Sequence, residues 1–159
     1  MSQYKLIYFD LRGRGEVARL IFKYARQNFE DFRVPMGNWS ELKGTTPAGK
    51  LPILEIMDEK KNVTSLGQSR AICRFLANKF NLAGNSDLEK AKADEYVDQI
   101  NDELDMFGRV NRIALKEEKI KEFKRLLNNV VPLNLKYFEN ILSKNSTGYL
   151  VGNGVTWAE

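Results

Sequence analysis

Residues 4–22, YKLIYFDLRGRGEVARLIF, decide how this chain begins to fold. The first part, Tyr4 to Phe9, is a short run of aromatic and branched apolar residues, which is typical of a buried strand. Glycines in the following segment break the run, and apolar residues then recur at the spacing of one helix face. The helix positions are Val17, Leu20, Ile21 and Tyr24. The stretch therefore predicts a strand, a turn and an amphipathic helix.

The residues that follow continue the alternation of strands and helices. A connection with Gly37, Gly44, Pro47 and Gly49 is expected to be irregular, and Pro52 stands at a tolerated strand start. The predicted elements are strands at Phe29–Val34, Ile53–Ile56 and Val63–Leu66, and a helix beginning at Gln68 or Ser69. The order is βαβ, loop, ββα, which predicts a mixed sheet with a right-handed crossover.

The pattern changes to helices alone after residue 80. We expect a first domain at 1–80, a polar linker at 81–86 and an all-α domain at 87–159. Ser86 or Asp87 begins the first helix of that domain as its N-cap. Apolar residues recur at helical spacing from Val97 to Phe107 and from Ile120 to Val130. Pro132 interrupts the second run, and the apolar face continues beyond it.

The last four residues, Thr156 to Glu159, read TWAE and match a capping box. Val155 directly precedes the N-cap, which is the position of the apolar residue in a hydrophobic staple. Because this signature specifies a helix start, we expect the helical domain to be incomplete here and the chain to be truncated. Apolar helix surface would then be exposed.

Composition excludes several kinds of chemistry. The chain has 159 residues, 43% of them hydrophobic and 29% charged, which is typical of a globular protein. It has no His, so it contains no Ser-His-Asp or Cys-His nucleophile and no His metal ligand. Cys73, its one cysteine, excludes an internal disulfide and a CxxC pair and fits a reducing compartment. We therefore expect no metal site.

Charge and hydropathy bear on partners. The net charge is +4, but acids and bases alternate along the chain, as in LKEEKIKEFKRL, which favours a solvated helix face over a nucleic-acid site. The start of the chain has no signal-peptide pattern, and its apolar runs are far shorter than a membrane span. We expect a cytoplasmic protein with no nucleic-acid or membrane partner.

Two local features point to a ligand. Tyr8 ends the first strand, where ligands bind in α/β sheets. Gln68 and Ser69 stand at a helix N-terminus, whose N–H groups and dipole favour a carboxylate or phosphate. Each feature alone is also compatible with packing or with an ordinary N-cap. The RGRG segment matches neither a P-loop nor a dinucleotide fingerprint, so a nucleotide is disfavoured.

Together, four stretches resemble the sigma-class glutathione transferases, which include glutathione-dependent prostaglandin D synthases. The stretches are YKLIYFDLRGRGEVARLIF (4–22), NWSELKGTTPAGKLPILEI (38–56), GQSRAICRFLA (67–77) and GYLVGNGVTWAE (148–159). The resemblance implies a thioredoxin-like first domain, an all-α second domain, a homodimer and glutathione as co-substrate. It covers nearly the whole chain and is strongest before residue 80.

The resemblance also implies roles for individual residues. Tyr8 matches the catalytic tyrosine that donates a hydrogen bond to the glutathione sulfur, and Arg14 matches the arginine that supports it. Trp39 and Lys43 match residues that bind the glycyl carboxylate. The remaining matched positions are Lys50, Leu51 and the expected cis-proline Pro52 beside the cysteinyl backbone, and Gln68 and Ser69 at the γ-glutamyl carboxylate.

Further positions correspond to the second-substrate pocket. The resemblance places Phe9, Leu11, Gly13 and Asp105 there, although Phe9 is equally compatible with the core. Asp98, Asp102 and Asp105 share one side of a helix. Such acids contact the glutathione ammonium across the dimer, bind a divalent cation or lie on a plain solvated face, and Met106 stands where an acid is frequent. Cys73 is expected to be structural.

The sequence thus predicts a transferase that conjugates glutathione to hydrophobic electrophiles in detoxification, with possible peroxidase activity. One alternative is the isomerisation of a prostaglandin endoperoxide to the D-type product. Another is a glutathione-binding or structural protein without useful turnover, of the kind found among lens crystallins.

Overall fold

The protein forms two compact units in a computed structural model that describes residues 3–159. The chain divides between Leu82 and Ala83. The first unit contains all of the strands found in the described residues, and the second contains helices alone.

A mixed four-stranded sheet forms the centre of the first unit. Its strands are β1 (Gln3–Phe9), β2 (Glu30–Val34), β3 (Ile53–Met57) and β4 (Val63–Gly67). They lie in the order β2-β1-β3-β4. β1 runs parallel to β2 and antiparallel to β3, and β4 is antiparallel to β3. The predicted βαβ-ββα order and mixed sheet are confirmed.

Two helices pack together in this unit, α1 (Glu16–Tyr24) and α3 (Ser69–Lys79). Alternate residues of β1 are buried, as expected for a strand with one face in the core. From that face Tyr4 packs against Phe22 of α1, with ring centroids 5.4 Å apart, and against Phe80 at 6.0 Å. The same face carries Leu6 and Tyr8, so the core places Tyr8 at the end of β1.

The apolar face predicted for α1 was largely wrong. Val17, Leu20 and Tyr24 are exposed, and of the four predicted positions only Ile21 is buried. The buried side of the helix instead begins at Gly15 and continues through Ala18, Arg19 and Phe22. The buried set of positions fits the i, i+3, i+4, i+7 spacing as well as the predicted set does. Periodicity therefore did not distinguish the two faces of the helix.

The segment between β2 and β3, predicted to be irregular, consists of short helical turns. It includes one turn of α-helix, α2 (Trp39–Leu42), flanked by 3₁₀ turns at Met36–Asn38, Lys43–Thr45 and Pro47–Gly49. The peptide bond between Leu51 and Pro52 is cis. Pro52 is buried immediately before β3.

The second unit is built from α4 (Asp87–Asn111), α5 (Lys116–Asn129) and α6 (Val131–Lys144). Ser86 is the N-cap of α4, as predicted, and its Oγ accepts a hydrogen bond from the N–H of Glu89 at 3.2 Å. The predicted interruption at Pro132 is confirmed, because α5 ends at Asn129 and Pro132 lies in the first turn of α6.

The final residues form the bonds of a capping box in a turn. The carboxylate of Glu159 accepts from the N–H of Thr156 at 2.7 Å and from the N–H of Leu150 at 2.8 Å. Many apolar side chains of this unit are exposed: Ile100, Leu104, Leu127, Leu133, Leu135 and Leu142. Among residues 3–159, no helix is long and apolar enough to cross a membrane.

Candidate functional site

The candidate site begins with Tyr8 and the turn that follows β1. The strand ends at Phe9, and the chain returns through a 3₁₀ turn at Gly13–Gly15 into α1. The ring of Tyr8 is buried, and its hydroxyl oxygen accepts a hydrogen bond from the backbone N–H of Arg14 at 2.9 Å. A phenol oxygen that accepts in this way still has its own O–H to donate.

Two glycines of the turn allow the tyrosine to come this close. A Cβ on Gly13 would lie 2.7 Å from the Tyr8 hydroxyl oxygen, and one on Gly15 would lie 2.5 Å from Cδ1 of the same ring. Gly13 also has a φ of +41°, a conformation that L side chains rarely adopt. Both glycines are therefore needed for Tyr8 to occupy this position. Leu11, close to Gly13 in the same turn, is exposed.

A buried arginine lies beneath this turn. Arg19 is 5% exposed, and its guanidinium carbon lies 5.8 Å from the centroid of the Tyr8 ring. The guanidinium donates to the carbonyl oxygens of Leu11 at 2.8 Å and Phe9 at 3.3 Å. It also donates to both carboxylate oxygens of Asp31, at 3.0 and 3.2 Å.

Aromatic contacts connect Tyr8 with the segment after β2. Phe9 packs against Tyr8 with ring centroids 5.5 Å apart and against Trp39 at 5.3 Å, both edge to face. Trp39 is the first residue of α2 and is half-buried. Two of the residues predicted for glutathione binding, Tyr8 and Trp39, thus both contact the ring of Phe9.

Lys43 lies next to the loop that precedes β3. Its side chain passes over Gly49, since its Cε would be 3.6 Å from a Cβ built there. The ammonium-bearing chain is exposed, as is Lys50 one residue further along the loop. Two cationic side chains thus border the segment that leads into the cis bond between Leu51 and Pro52.

The strand register brings the other predicted residues to the same edge. Ile53 pairs with Ile7 of β1 on one side and with Gly67 of β4 on the other. Tyr8, Pro52 and Gln68 consequently lie at the same end of the sheet, which we call the site edge. Trp39 is connected to this edge by its contact with Phe9.

The N-terminus of α3 has features that favour an anion. Gln68 is its N-cap with φ 67° and ψ 112°, and no side chain caps the helix there. The first turn has no acidic residue, and it carries the exposed Arg70. Backbone N–H groups, the helix dipole and this positive charge favour a carboxylate beside Ser69.

The remaining candidates lie in the second unit or in the core. Asp98 and Asp105 are half-buried on α4 and Asp102 is exposed. In the part of the chain that the structure describes, no cluster of three or more His, Cys, Asp or Glu side chains is placed to hold a metal ion. Cys73 is buried in α3, and burial raises the pKa of its thiol to about 12.

Arg19 and Gly15 are site residues that the sequence analysis missed. Helix geometry turns position 19 inward once Ala18 and Phe22 are known to be buried, but the sequence alone does not reveal that face. Asp31 in the next strand supplies its countercharge. The role of Gly15 depends on the ring position of Tyr8, which no local pattern reveals.

The fold and this end of the sheet define a class: an α/β domain that presents a phenol near an uncapped helix N-terminus, joined in sequence to a helical domain. Comparison with known families specifies it further. Residues 4–78 match the glutathione S-transferase N-terminal domain, and residues 104–159 match the glutathione S-transferase C-terminal domain.

Individual relatives agree with these family matches. The chain is 42% identical over 164 residues to probable glutathione S-transferase 6 of Caenorhabditis elegans, covering 100% of this chain and 76% of the relative. It is 38% identical over 161 residues to human hematopoietic prostaglandin D synthase, covering 100% and 75%. The solved sigma-class transferase of Fasciola hepatica is 29% identical with a TM-score of 0.89, covering 99% and 74%.

The chain belongs to the glutathione S-transferase family. It is a glutathione transferase, and glutathione is its co-substrate. The family resemblance and the thioredoxin-like and all-α fold expected from the sequence are confirmed.

Proposed function

We propose that the Tyr8 hydroxyl activates the thiol of glutathione for attack on a hydrophobic electrophile. The observation that carries this proposal is the 2.9 Å hydrogen bond from the Arg14 N–H to the Tyr8 hydroxyl oxygen. That bond orients the oxygen and, by polarising it, strengthens its O–H as a donor. Tyr8 also lies at the same end of the sheet as the start of α3, which supports the proposal.

The chemistry is a shift of an acid–base equilibrium. A free thiol of this kind has a pKa of about 8.5, and only its thiolate is a strong nucleophile. A hydrogen bond donated to the thiolate favours the charged form and lowers the thiol pKa. Each pKa unit corresponds to about 1.4 kcal/mol, so one good donor makes the thiolate abundant near neutrality. The Arg14 side chain adds positive potential in the same direction.

The carboxylates of glutathione are expected to bind at two separate places. Lys43 and Trp39 hold the glycyl carboxylate, and the N-terminus of α3 at Gln68 and Ser69 holds the γ-glutamyl carboxylate. Their support is the exposed Lys43 chain beside Gly49 and the uncapped start of α3. Between them, Lys50 and the backbone of Leu51 are proposed to align the cysteinyl residue beside Pro52.

The electrophile is proposed to bind against the apolar side of the turn after β1. Leu11 is 43% exposed there, next to Gly13 and Phe9. An exposed apolar side chain at the activated thiol favours a hydrophobic co-substrate.

The test is Tyr8→Phe, with Tyr4→Phe as a matched control. Both tyrosines are buried on the same face of β1, and each change removes a single hydroxyl. We expect Tyr8→Phe to lower the rate of conjugation of glutathione to an aryl halide by about 10–100-fold, which corresponds to the loss of about one or two pKa units of thiol activation. The pKa of the bound thiol, read from thiolate absorbance against pH, should rise.

Tyr4→Phe should leave both quantities unchanged, because the Tyr4 ring packs in the aromatic core. A Tyr8→Phe protein with the full conjugation rate and an unshifted thiol pKa would remove Tyr8 from this role. Binding of glutathione with no turnover by the wild type would favour the non-catalytic alternative.

A second candidate activity is isomerisation of a prostaglandin endoperoxide. It is favoured by the 38% identity to human hematopoietic prostaglandin D synthase. Incubation with glutathione and the endoperoxide, followed by product analysis, tests it. Absence of the D-type product would exclude this activity while leaving the conjugation proposal intact.

We further propose that the protein acts in detoxification as a cytoplasmic homodimer. The dimer rests on the family resemblance, and the compartment on a single buried thiol, Cys73, in place of disulfides. Sedimentation of the purified protein tests the dimer.

A further inference from the structure

Arg19 carries a charge that the protein interior must compensate. A buried guanidinium is costly unless its N–H groups are hydrogen-bonded and its charge is paired. Nε donates to Asp31, Nη1 donates to Glu16 at 3.1 Å and to Leu11 O, and Nη2 donates to Phe9 O. This one side chain therefore contacts β2, its own helix and the loop after β1.

The two carbonyl contacts fall on the segment that connects Tyr8 to its hydrogen-bond donor. Phe9 follows Tyr8 directly, and Leu11 lies three residues before Arg14. Arg19 donates hydrogen bonds to the carbonyl oxygens of both residues. These bonds fix the backbone between the Tyr8 ring and the Arg14 N–H. The Arg14 N–H to Tyr8 distance depends on that path.

The charges around Arg19 argue against a direct electrostatic role. Its guanidinium faces the carboxylates of Asp31 and Glu16. Asp31 also pairs with Arg33 at 2.9 Å, and Arg33 pairs with Asp10 at 2.8 Å. Two cations thus meet three anions, so the group offers no net positive potential to a thiolate.

We propose that Arg19 is a positioning residue for catalysis: it fixes the loop after β1 so that the Arg14 N–H stays bonded to the Tyr8 hydroxyl. This inference rests on the proposed role of Tyr8. A forked side chain is required, because a planar guanidinium donates to Asp31 and to two carbonyls at once. A lysine at position 19 keeps the charge but offers a single ammonium group that cannot reach all three.

The experiment compares Arg19→Lys with Ile72→Val and Tyr8→Phe in the full chain. Ile72 is fully buried in α3, so Ile72→Val weakens the core of the same unit at a position outside the loop and outside the Arg19 hydrogen bonds. The readouts are the pKa of bound glutathione, from thiolate absorbance against pH, and kcat and KM for glutathione. Thermal unfolding of each variant reports its stability.

We expect Arg19→Lys to raise the thiol pKa by about one unit and to lower kcat near neutral pH about tenfold. The KM for glutathione should change less than about twofold, because Lys43 and the α3 N-terminus are untouched. Ile72→Val should lower thermal stability and leave the thiol pKa in place.

An unshifted thiol pKa in Arg19→Lys, together with a raised one in Tyr8→Phe, would overturn the role of Arg19 alone. If Tyr8→Phe is also unshifted, the proposed function itself fails. Should Arg19→Lys not fold, Asp31→Asn takes its place, since it removes the countercharge that orients the guanidinium. A raised thiol pKa in Asp31→Asn supports the inference, and an unchanged one overturns it.

Discussion

A Cβ atom on Gly15 would lie 2.5 Å from Cδ1 and 2.7 Å from Cγ of Tyr8. Contacts under 3 Å at the rigid start of an aromatic ring require the ring or the helix to move. Gly15 is buried and lies just before α1, so neither side has room to yield. The closeness of this glycine to the tyrosine holds the ring against the turn that carries Arg14.

Gly15→Ala is therefore expected to affect stability and rate together. Overpacking of this kind costs about 1–3 kcal/mol. A displaced Tyr8 ring would also lose the Arg14 N–H bond, and the conjugation rate should fall by about tenfold or more. Urea unfolding and steady-state rates with an aryl halide measure the two effects.

Gly37→Ala is the matched control for this change. A Cβ there would have no neighbour within 4 Å, and its backbone does not have a positive φ. We expect stability and rate to stay at the wild-type values. Equal losses in both variants would show that the cost at Gly15 does not come from contact with Tyr8.

Burial of Cys73 predicts a loss of stability in alkaline solution. The thiol pKa is raised from 9.0 to about 12 in the folded protein because burial disfavours the thiolate. Between these values the unfolded chain has released a proton that the folded chain keeps. Unfolding therefore becomes easier as pH rises, by up to about 1.4 kcal/mol per pH unit from this group.

Cys73→Ala removes that contribution and provides the measurement. The variant should be less stable than wild type near pH 8, because the buried sulfur is lost. The difference in the free energy of unfolding between the two proteins should then shrink as the pH is raised through 9 and 10. Parallel stability curves over this range would contradict the buried-thiol explanation.

The strands and most helices were predictable because their signals are local. The apolar run at Tyr4–Phe9 and the alternation before Val34 each specify a strand within a few residues. The serine at 86 marks the start of α4 in the same way, and Pro132 marks a break. These features depend on backbone conformation and capping, which neighbouring residues determine.

The inward face of α1 was not predictable from the same kind of signal. Two sets of positions fit a helical stripe, and the more hydrophobic one, with Leu20 and Tyr24, is exposed except at Ile21. The buried set includes Arg19, which a hydrophobicity count rejects. Its burial is stabilised by Asp31, a residue of β2 that comes close only after the sheet has formed.

The site was predictable in part for a related reason. Tyr8 and Ser69 stand at a strand end and a helix start, positions that are visible in the sequence. Their approach to one another depends on the pairing of Ile53 with both Ile7 and Gly67, which is a long-range register. The support of Tyr8 by Arg19 through carbonyl oxygens has no sequence signature at all.

The cap of α4 supports a further prediction. Ser86→Ala removes the Oγ that accepts from the Glu89 N–H and should cost about 1 kcal/mol of stability. Ser143→Ala is the control, because Ser143 is an exposed serine on α6 that does not cap a helix. Thermal unfolding should show a lower midpoint for Ser86→Ala alone. An unchanged midpoint would mean that the Glu89 carboxylate, which binds the Asn85 N–H, already secures this helix end.

Lys43→Ala should separate binding of glutathione from its activation. The Lys43 chain lies over Gly49, beside the loop that precedes β3, whereas the Tyr8 hydroxyl is bonded to the Arg14 N–H. Loss of a charged hydrogen bond to the glycyl carboxylate is worth about 1.5–3 kcal/mol, so the KM for glutathione should rise at least about tenfold. The kcat and the pKa of the bound thiol should stay at wild-type values.

The control for this change is Lys60→Ala. It removes an exposed lysine in the turn between β3 and β4, at the opposite end of these strands, and should leave the KM for glutathione unchanged. The KM of the wild type should also rise with ionic strength more steeply than that of Lys43→Ala, because the variant lacks one of the charge contacts that salt screens. A fall in kcat with an unchanged KM in Lys43→Ala would place this lysine at the thiol, contrary to the proposed division of the site.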